Sequence, residues 1–176
     1  MRLTVAGVAV QRRHINVSGA LLCATMMGFA LFAQFGLRLQ PCNMCYLQRV
    51  AVVGLGLLFL AASVHDPGRH GARVYALLIG LAALAGVAVS ARHIWMSMQP
   101  PGSLPSCGAD FYTMLEMLPL TDVVAKIWNG GGECQIVQWR LLGLSMQTWV
   151  LLGVGGAGLA GVAGNVVLDR PERMRA

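Results

Sequence analysis

Charged residues are clustered along the chain so that four long apolar runs stand between them: Ile15 to Leu37, Val50 to Val64, Val74 to Ala91 and Leu141 to Leu168. Their uncharged lengths are 23, 15, 18 and 28 residues. A helix rising about 1.5 Å per residue needs roughly 20 residues to cross about 30 Å of hydrocarbon. The second run reaches that length only by taking in Tyr46 to Arg49, which sets Arg49 about one turn inside the end of the span. The pattern predicts helical spans at about 15–37, 46–64, 74–95 and 146–168, with loops at about 38–45 and 96–143. The expected fold class is all-α, an integral membrane four-helix bundle forming a single domain over residues 1–176, with one long external loop.

Composition narrows the picture. With 56% hydrophobic and 11% charged residues, the chain departs from the roughly 25% charged of soluble domains and has the opposite of a disordered composition. A net charge of +6 raises the question of nucleic acid, but the basic residues sit at segment ends and form no stripe interleaved with aromatics, so no nucleic-acid partner is expected. The first run follows Arg12 and Arg13, yet it is too long for a signal-peptide core and no A-x-A site follows it, so it reads as a retained helix.

Four spans put both termini on one side, and the basic residues choose which. Arg2, Arg12, Arg13, Arg69, Arg73, Arg170, Arg173 and Arg175 belong to the tails and the loop between spans two and three. The segment from Met96 to Gly143 holds Lys126 and Arg140 against Asp110, Glu116, Asp122 and Glu133, a net of −2. That segment and the loop from Arg38 to Cys45 are therefore expected outside, with both termini cytoplasmic. Trp95 and Trp149 fall at the external ends of spans three and four, as an aromatic belt places them. Pro67-Gly68 reads as a tight inner turn. In span four, Gly153, Ala157 and Gly161 recur every four residues, as do Gly156, Ala160 and Gly164, which permits close helix packing.

The long external segment contains Pro100, Pro101, Pro105, Pro119 and Gly130-Gly131-Gly132, and reads as a mobile loop with short helices. Between Ala109 and Trp128, Pro119 divides two amphipathic pieces, one carrying Phe111, Met114, Leu115 and Leu118, the other Val123, Val124, Ile127 and Trp128. They are suited either to the membrane surface or to capping the bundle.

Cysteine placement carries the chemistry. Cys42 and Cys45 form a C-x-x-C in the short external loop, and Cys107 and Cys134 lie in the long one, on the side where disulfides form. Cys23, inside the first span, reads as apolar filler. The simplest of three connectivities joins Cys42 to Cys45 and Cys107 to Cys134. A Cys107–Cys134 bond is a reasonable staple, about 3 to 4 kcal/mol by chain entropy. A Cys42–Cys45 bond closes too short a loop for that role and reads as redox-active, because a helix N-terminus stabilises a thiolate. Zinc is the other reading of C-x-x-C, but a closed site needs four ligands, and Cys107 and Cys134 would have to come from a mobile loop. Arg49 lies one turn beyond Cys45 on the same face. It is placed to stabilise a Cys45 thiolate or to hydrogen-bond an oxygen of a lipid-soluble acceptor, or to act as a snorkelling anchor.

The run Pro41-Cys42-Asn43-Met44-Cys45-Tyr46-Leu47-Gln48-Arg49 resembles the P-C-x-x-C-x-x-x-R signature of the DsbB family of bacterial disulfide bond formation proteins. Gly132-Glu133-Cys134, Trp139, Leu142-Gly143-Leu144-Ser145-Met146 and Trp149 are similar to a second stretch of that family, so the resemblance covers nearly the whole chain. It implies an inner-membrane oxidase that reoxidises a soluble periplasmic DsbA-type dithiol oxidase and passes electrons to a membrane quinone, ubiquinone or menaquinone. Carried onto this sequence, Cys107 is the sulfur attacked by the partner, Cys134 is its mate, and Cys42 exchanges with Cys134. Cys45 faces the quinone and Arg49 lies beside its oxygen. His93 corresponds by position to a quinone-proximal histidine, or is simply an interfacial histidine beside Arg92. Two positions depart from the family pattern: Gln147 stands where proline is frequent, and Gln48 where an acidic residue occurs.

Other functions compete with this one. A membrane thiol reductase would run the same sulfurs in reverse, and a structural membrane protein would use both disulfides as staples. A b-type haem protein would need two of His14, His65, His70 and His93 facing each other at one depth, which their positions disfavour.

Overall fold

The structure is a computed structural model that describes residues 3–5, 8–136 and 139–168. Arg2, Arg170, Arg173 and Arg175, on which part of the charge asymmetry rests, lie outside the described residues.

A short antiparallel hairpin, β1 (Leu3–Val5) with β2 (Val8–Val10), precedes the first long helix. Four long helices follow the apolar runs: α1 (Arg12–Phe35), α2 (Asn43–His65), α3 (Arg69–Ser97) and, last in the chain, α6 (Met146–Val167). All four are long and apolar enough to cross a membrane. α2 and α3 exceed the predicted spans at both ends and α1 at its start, because charge marks the edge of the hydrocarbon while hydrogen bonding continues through the headgroup layer; α1 stops at Phe35, two residues before the predicted end. Arg12 thus lies inside α1, where its guanidinium donates to the Pro67 carbonyl at 2.8 Å and faces Asp66 at 3.6 Å. This clamps the start of α1 to the turn between α2 and α3.

The fold is an all-α membrane bundle. Leu57, Leu60, Val64, Leu77, Leu84 and Leu159 are all more than half exposed, an inside-out surface that only lipid satisfies. Its interior packs Phe59, Leu55, Ile79, Val154 and Cys23 together, and Cys23 is apolar filler there. Phe59 fits because Gly19 and Gly161 carry no side chain: a Cβ at either would stand 2.8 or 2.5 Å from the ring. Of the two small-residue rows in α6, Ala157 and Gly161 are buried while Gly156 and Ala160 face outward. Gly158 makes the closest approach, where an added Cβ would meet that of Ala83 on α3 at 2.3 Å.

The external segment folds over one end of this bundle. Pro119 separates α4 (Phe111–Met117) from α5 (Leu120–Asn129) as the pattern predicts. Met114, Val123 and Ile127 are buried against Met44, Met96, Cys107 and Cys134, so the inner faces cap the bundle. Tyr112, Met117, Leu120 and Trp128 stay exposed on the other side. Arg92 ties α5 to α3 by donating to the Trp128 carbonyl at 3.0 and 3.2 Å while stacking over Trp95. A 3₁₀ turn (Gly132–Gln135) and a two-residue hairpin, β3 (Arg140–Leu141) with β4 (Leu144–Ser145), lead into α6. Leu142 and Gly143 turn that hairpin with φ of 52° and 80°, the positive pair that a type I′ turn requires.

The glycine run differs from its reading as a marker of mobility. Gly130 and Gly131 are buried; a Cβ on Gly130 would meet Cys107 Sγ at 2.9 Å, and one on Gly131 would meet Met96 Sδ at 2.7 Å. Gly131, at φ 134°, and Gly132 both donate to the Pro105 carbonyl. The run is a close-approach device that carries Cys134 past Cys107 and onto the bundle.

Candidate functional site

Pro41 ends the loop after α1, and Cys42 caps α2 with extended backbone, its carbonyl accepting the Cys45 N–H at 3.0 Å. This first turn aims both sulfurs inward, 3.4 Å apart. The 3₁₀ turn places Cys134 against them, with its Sγ 2.9 Å from Cys42 Sγ. None of the five cysteines is bonded to another in this structure, and Cys134 faces Cys42 rather than the expected Cys107. The glycine-led approach of the turn explains the difference: it lays Cys134 over the N-terminus of α2. Cys107 is buried nearby beneath Gly130 and within the same apolar cluster.

His93 comes from α3 and is only 4% exposed. Its Nε2 lies 3.4 Å from Cys42 Sγ and its Nδ1 3.0 Å from Gln48 Oε1. Gln48 in turn donates its Nε2 hydrogen to Ser90 Oγ at 3.0 Å. The interfacial reading of His93 therefore gives way to a buried one. Gln48 and Ser90 were not among the sequence-level candidates. Their only signals were spacing: Gln48 is three residues beyond Cys45, and Ser90 three before His93, each on the face of its neighbour.

Arg49 is half-buried and held by α1, donating to Gln34 Oε1 and, at 3.0 Å, to the Ala30 carbonyl, with the Tyr46 ring 5.4 Å away. It is a fixed group at the wall of a cavity, not a free anchor. The cavity has a volume of about 560 Å³ and lies between α1, α2 and α6, where Met26, Ala30, Val52 and Val150 supply apolar wall. Cys45, Gln48, Arg49 and His93 supply its polar end, and Gln147 also borders it. Phe29, Trp149 and Leu152 line its rim and are exposed on the lipid-facing surface.

The loop sulfurs differ in acidity. Cys134 is pushed down to about 5, chiefly because its thiolate accepts a hydrogen bond from Cys42, with His93 helping against the cost of burial. Cys42 is held well above the ordinary thiol value by its hydrogen bonds to Cys134 and Cys45 and by burial. Burial raises Cys107 too, and the adjacent Glu133 carboxylate adds to this. Although burial opposes it, Glu133 stays below the usual carboxylate range because Ser106 and the Cys107 N–H donate to it. Chemically the group is a thiolate-forming sulfur aimed at a second sulfur, backed by an imidazole and opening onto an apolar slot.

A four-helix membrane bundle with this cluster at one end belongs to the class of membrane thiol proteins. The family model described as Disulfide bond formation protein DsbB matches residues 12–164. A Disulfide bond formation protein B from Chromobacterium violaceum is 41% identical over 150 residues, covering 85% of this chain and 90% of that one. Its counterpart from Chromohalobacter salexigens is 42% identical over 87% of this chain and 88% of its own length, and that from Methylococcus capsulatus 42% over 80% and 85%. The chain belongs to the DsbB family, and is a multi-pass membrane protein of disulfide bond formation.

Proposed function

We propose that the chain is a thiol:quinone oxidoreductase of the bacterial inner membrane, reoxidising a soluble periplasmic DsbA-type dithiol oxidase. The observation that carries this reading is the apolar cavity, which reaches Cys45 and Arg49 at one end of the sulfur cluster. About 560 Å³ lies within the size range of small-molecule pockets. Its lipid-level rim, apolar walls and single polar end fit a quinone ring with an isoprenoid tail. Arg49, fixed by Gln34 and Ala30, and the His93–Gln48 pair would hold the ring oxygens. When bound, the quinone supplies a two-electron, two-proton acceptor that returns the Cys42–Cys45 pair to its disulfide.

The protein's own residues perform the exchange. A thiolate of the partner attacks Cys107 of a Cys107–Cys134 disulfide, the S–S bond breaks, and Cys134 leaves as thiolate. His93 beside Cys134 favours its thiolate as the leaving group, whereas burial and Glu133 disfavour a Cys107 thiolate. The partner's second thiolate then attacks its own sulfur in the mixed disulfide, releasing Cys107 and leaving the partner oxidised. Cys134 attacks Cys42 of the Cys42–Cys45 disulfide, freeing Cys45 at the cavity. Attack by Cys107 on Cys134 restores the first pair and leaves Cys42 reduced beside Cys45. The partner has lost two electrons and two protons, now held as the reduced Cys42–Cys45 pair.

The test is anaerobic mixing of the purified protein with quinone and a reduced DsbA-type oxidase. One quinone should be reduced per partner dithiol oxidised, and Cys45→Ser should abolish it. Full turnover by Cys107→Ser would overturn the relay.

A further inference from the structure

The relay uses these sulfurs in pairs, but the fully reduced protein gathers three donors at one point and sets a fourth beside one of them. Cys42 Sγ, Cys45 Sγ and His93 Nε2 all lie within 4.8 Å of one another. The two edges that meet at Cys42 both measure 3.4 Å, and Cys134 Sγ approaches Cys42 from the external side at 2.9 Å. In a tetrahedral zinc site, with Zn–S of about 2.3 Å and Zn–N of about 2.0–2.1 Å, ligand atoms stand roughly 3.5 to 3.8 Å apart. The two edges at Cys42 are near that spacing already, and the third is within 4.8 Å. Cys134 does not lie within 4.8 Å of all three, so it has to shift on its short turn to close the tetrahedron. Zinc was disfavoured in the sequence because Cys107 and Cys134 would both have to come from the loop; the fold replaces Cys107 with a histidine from a long helix.

The imidazole is also oriented for the task. Gln48 spends its amide N–H on Ser90 Oγ and presents its oxygen to His93 Nδ1. An amide oxygen only accepts, so Nδ1 carries the ring hydrogen and Nε2 turns its lone pair toward the sulfurs. A hydrogen-bond acceptor behind the far ring nitrogen is what metal-ligating histidines generally have.

We propose that the reduced cluster of Cys42, Cys45, Cys134 and His93 captures a soft divalent transition-metal ion, zinc foremost, with Gln48 as the positioning residue for its imidazole ligand. Binding moves no electrons. Cys134 is already a thiolate at neutral pH, each of the other two sulfurs still protonated releases its proton, three metal–sulfur bonds and one metal–nitrogen bond form, and the ion holds all three sulfurs reduced until it is withdrawn. The consequence is a metal-sensitive brake on thiol exchange. The inference uses the site proposed above but requires only four reduced side chains, so quinone-linked turnover and metal capture can fail separately.

The experiment uses the full chain in detergent, reduced with a phosphine under anaerobic conditions and titrated with Co²⁺ as a spectroscopic stand-in. One equivalent should bind with sulfur-to-cobalt charge-transfer bands and the intense visible bands of a tetrahedral ion. Zn²⁺ should then displace it, and a pH indicator should report release of no more than about two protons per ion at neutral pH, those that Cys42 and Cys45 still carry. His93→Ala and Cys134→Ser should each weaken binding at least tenfold and move the visible bands. Gln48→Leu should weaken it by about 10- to 100-fold while leaving the bands in place. Cys23→Ser and Cys107→Ser should bind as the parent does. Octahedral bands, unchanged affinity in His93→Ala, or loss of binding in Cys107→Ser would each overturn the proposal.

Discussion

At the scale of single residues, the buried polar side chains among the described residues each have a partner, and removing one side of a pair exposes what the other needs. Asn16 on α1 and Asn165 on α6 exchange amide hydrogen bonds at 3.2 and 2.8 Å while almost fully buried. Within a membrane bundle such contacts bind helices by about 1 to 2 kcal/mol at most, but an orphaned amide costs about 1 to 3 kcal/mol. Asn16→Leu should therefore lower stability in detergent by about 1 to 2 kcal/mol, and Asn16→Leu with Asn165→Leu should recover most of it. Thermal unfolding of the three proteins reads the cycle. The sulfurs allow a second check, because a thiol alkylates only as thiolate. With Cys134 pushed from 9.0 down to about 5, its thiolate persists at neutral pH and is lost as pH falls through that value. In the reduced, chelator-treated protein, the alkylation rate at Cys134 should stay flat from about pH 8 to about 6. Below about 5 it should fall tenfold per unit. Cys107, raised by burial, should lose rate tenfold per unit across the whole range. Peptide-level mass spectrometry after timed alkylation separates the two, and His93→Ala should move the Cys134 inflection upward.

At the scale of elements, α3 and α6 are joined by absence of side chains. A Cβ on Gly158 would collide with that of Ala83, whereas one on Gly156 meets nothing within 4 Å. Gly158→Leu should force the two helices apart and cost about 1 to 3 kcal/mol, while Gly156→Ala should be neutral or slightly stabilising. Thermal unfolding, with Gly156→Ala as the matched control, decides this. The same helix shows what sequence makes legible. Spacing by four announced a small-residue face on α6, but both rows have that spacing, and only packing against α3 and Phe59 distinguishes Ala157 and Gly161 from Gly156 and Ala160. Likewise Pro119 was enough to divide α4 from α5, since its ring breaks a helix whatever surrounds it. The role of Gly130 to Gly132 was not, because a glycine run looks the same whether it moves or lets a sulfur pass close. Of the candidate site, the C-x-x-C and its helix N-terminus were local and visible. The Ser90–Gln48–His93 chain depends on where α2 crosses α3, and no residue on either helix encodes that crossing alone.

For the whole molecule, what matters is which end of the bundle carries the sulfurs and which compartment that end meets. Helices of this length hold Arg12, Arg69 and Arg73 at one end and Cys42, Cys45, Cys107 and Cys134 at the other. By the positive-inside rule the basic residues of the tails and of the turn between α2 and α3 favour the cytoplasm, and an oxidising outer compartment is where disulfides persist. These are independent constraints, one on membrane insertion and one on redox chemistry, and both support the proposed orientation with the sulfur end outside. Orientation can be read without disturbing either by adding a reporter thiol to a variant in which all five native cysteines are serine. Ser103 and Arg69 are exposed at opposite ends. A membrane-impermeant maleimide should label Ser103→Cys in intact spheroplasts, and Arg69→Cys only after lysis. The reverse pattern would place the thiol cluster in a reducing cytosol, where the Cys42–Cys45 disulfide would be reduced by soluble thiols and the proposed flow of electrons to the membrane would have no source.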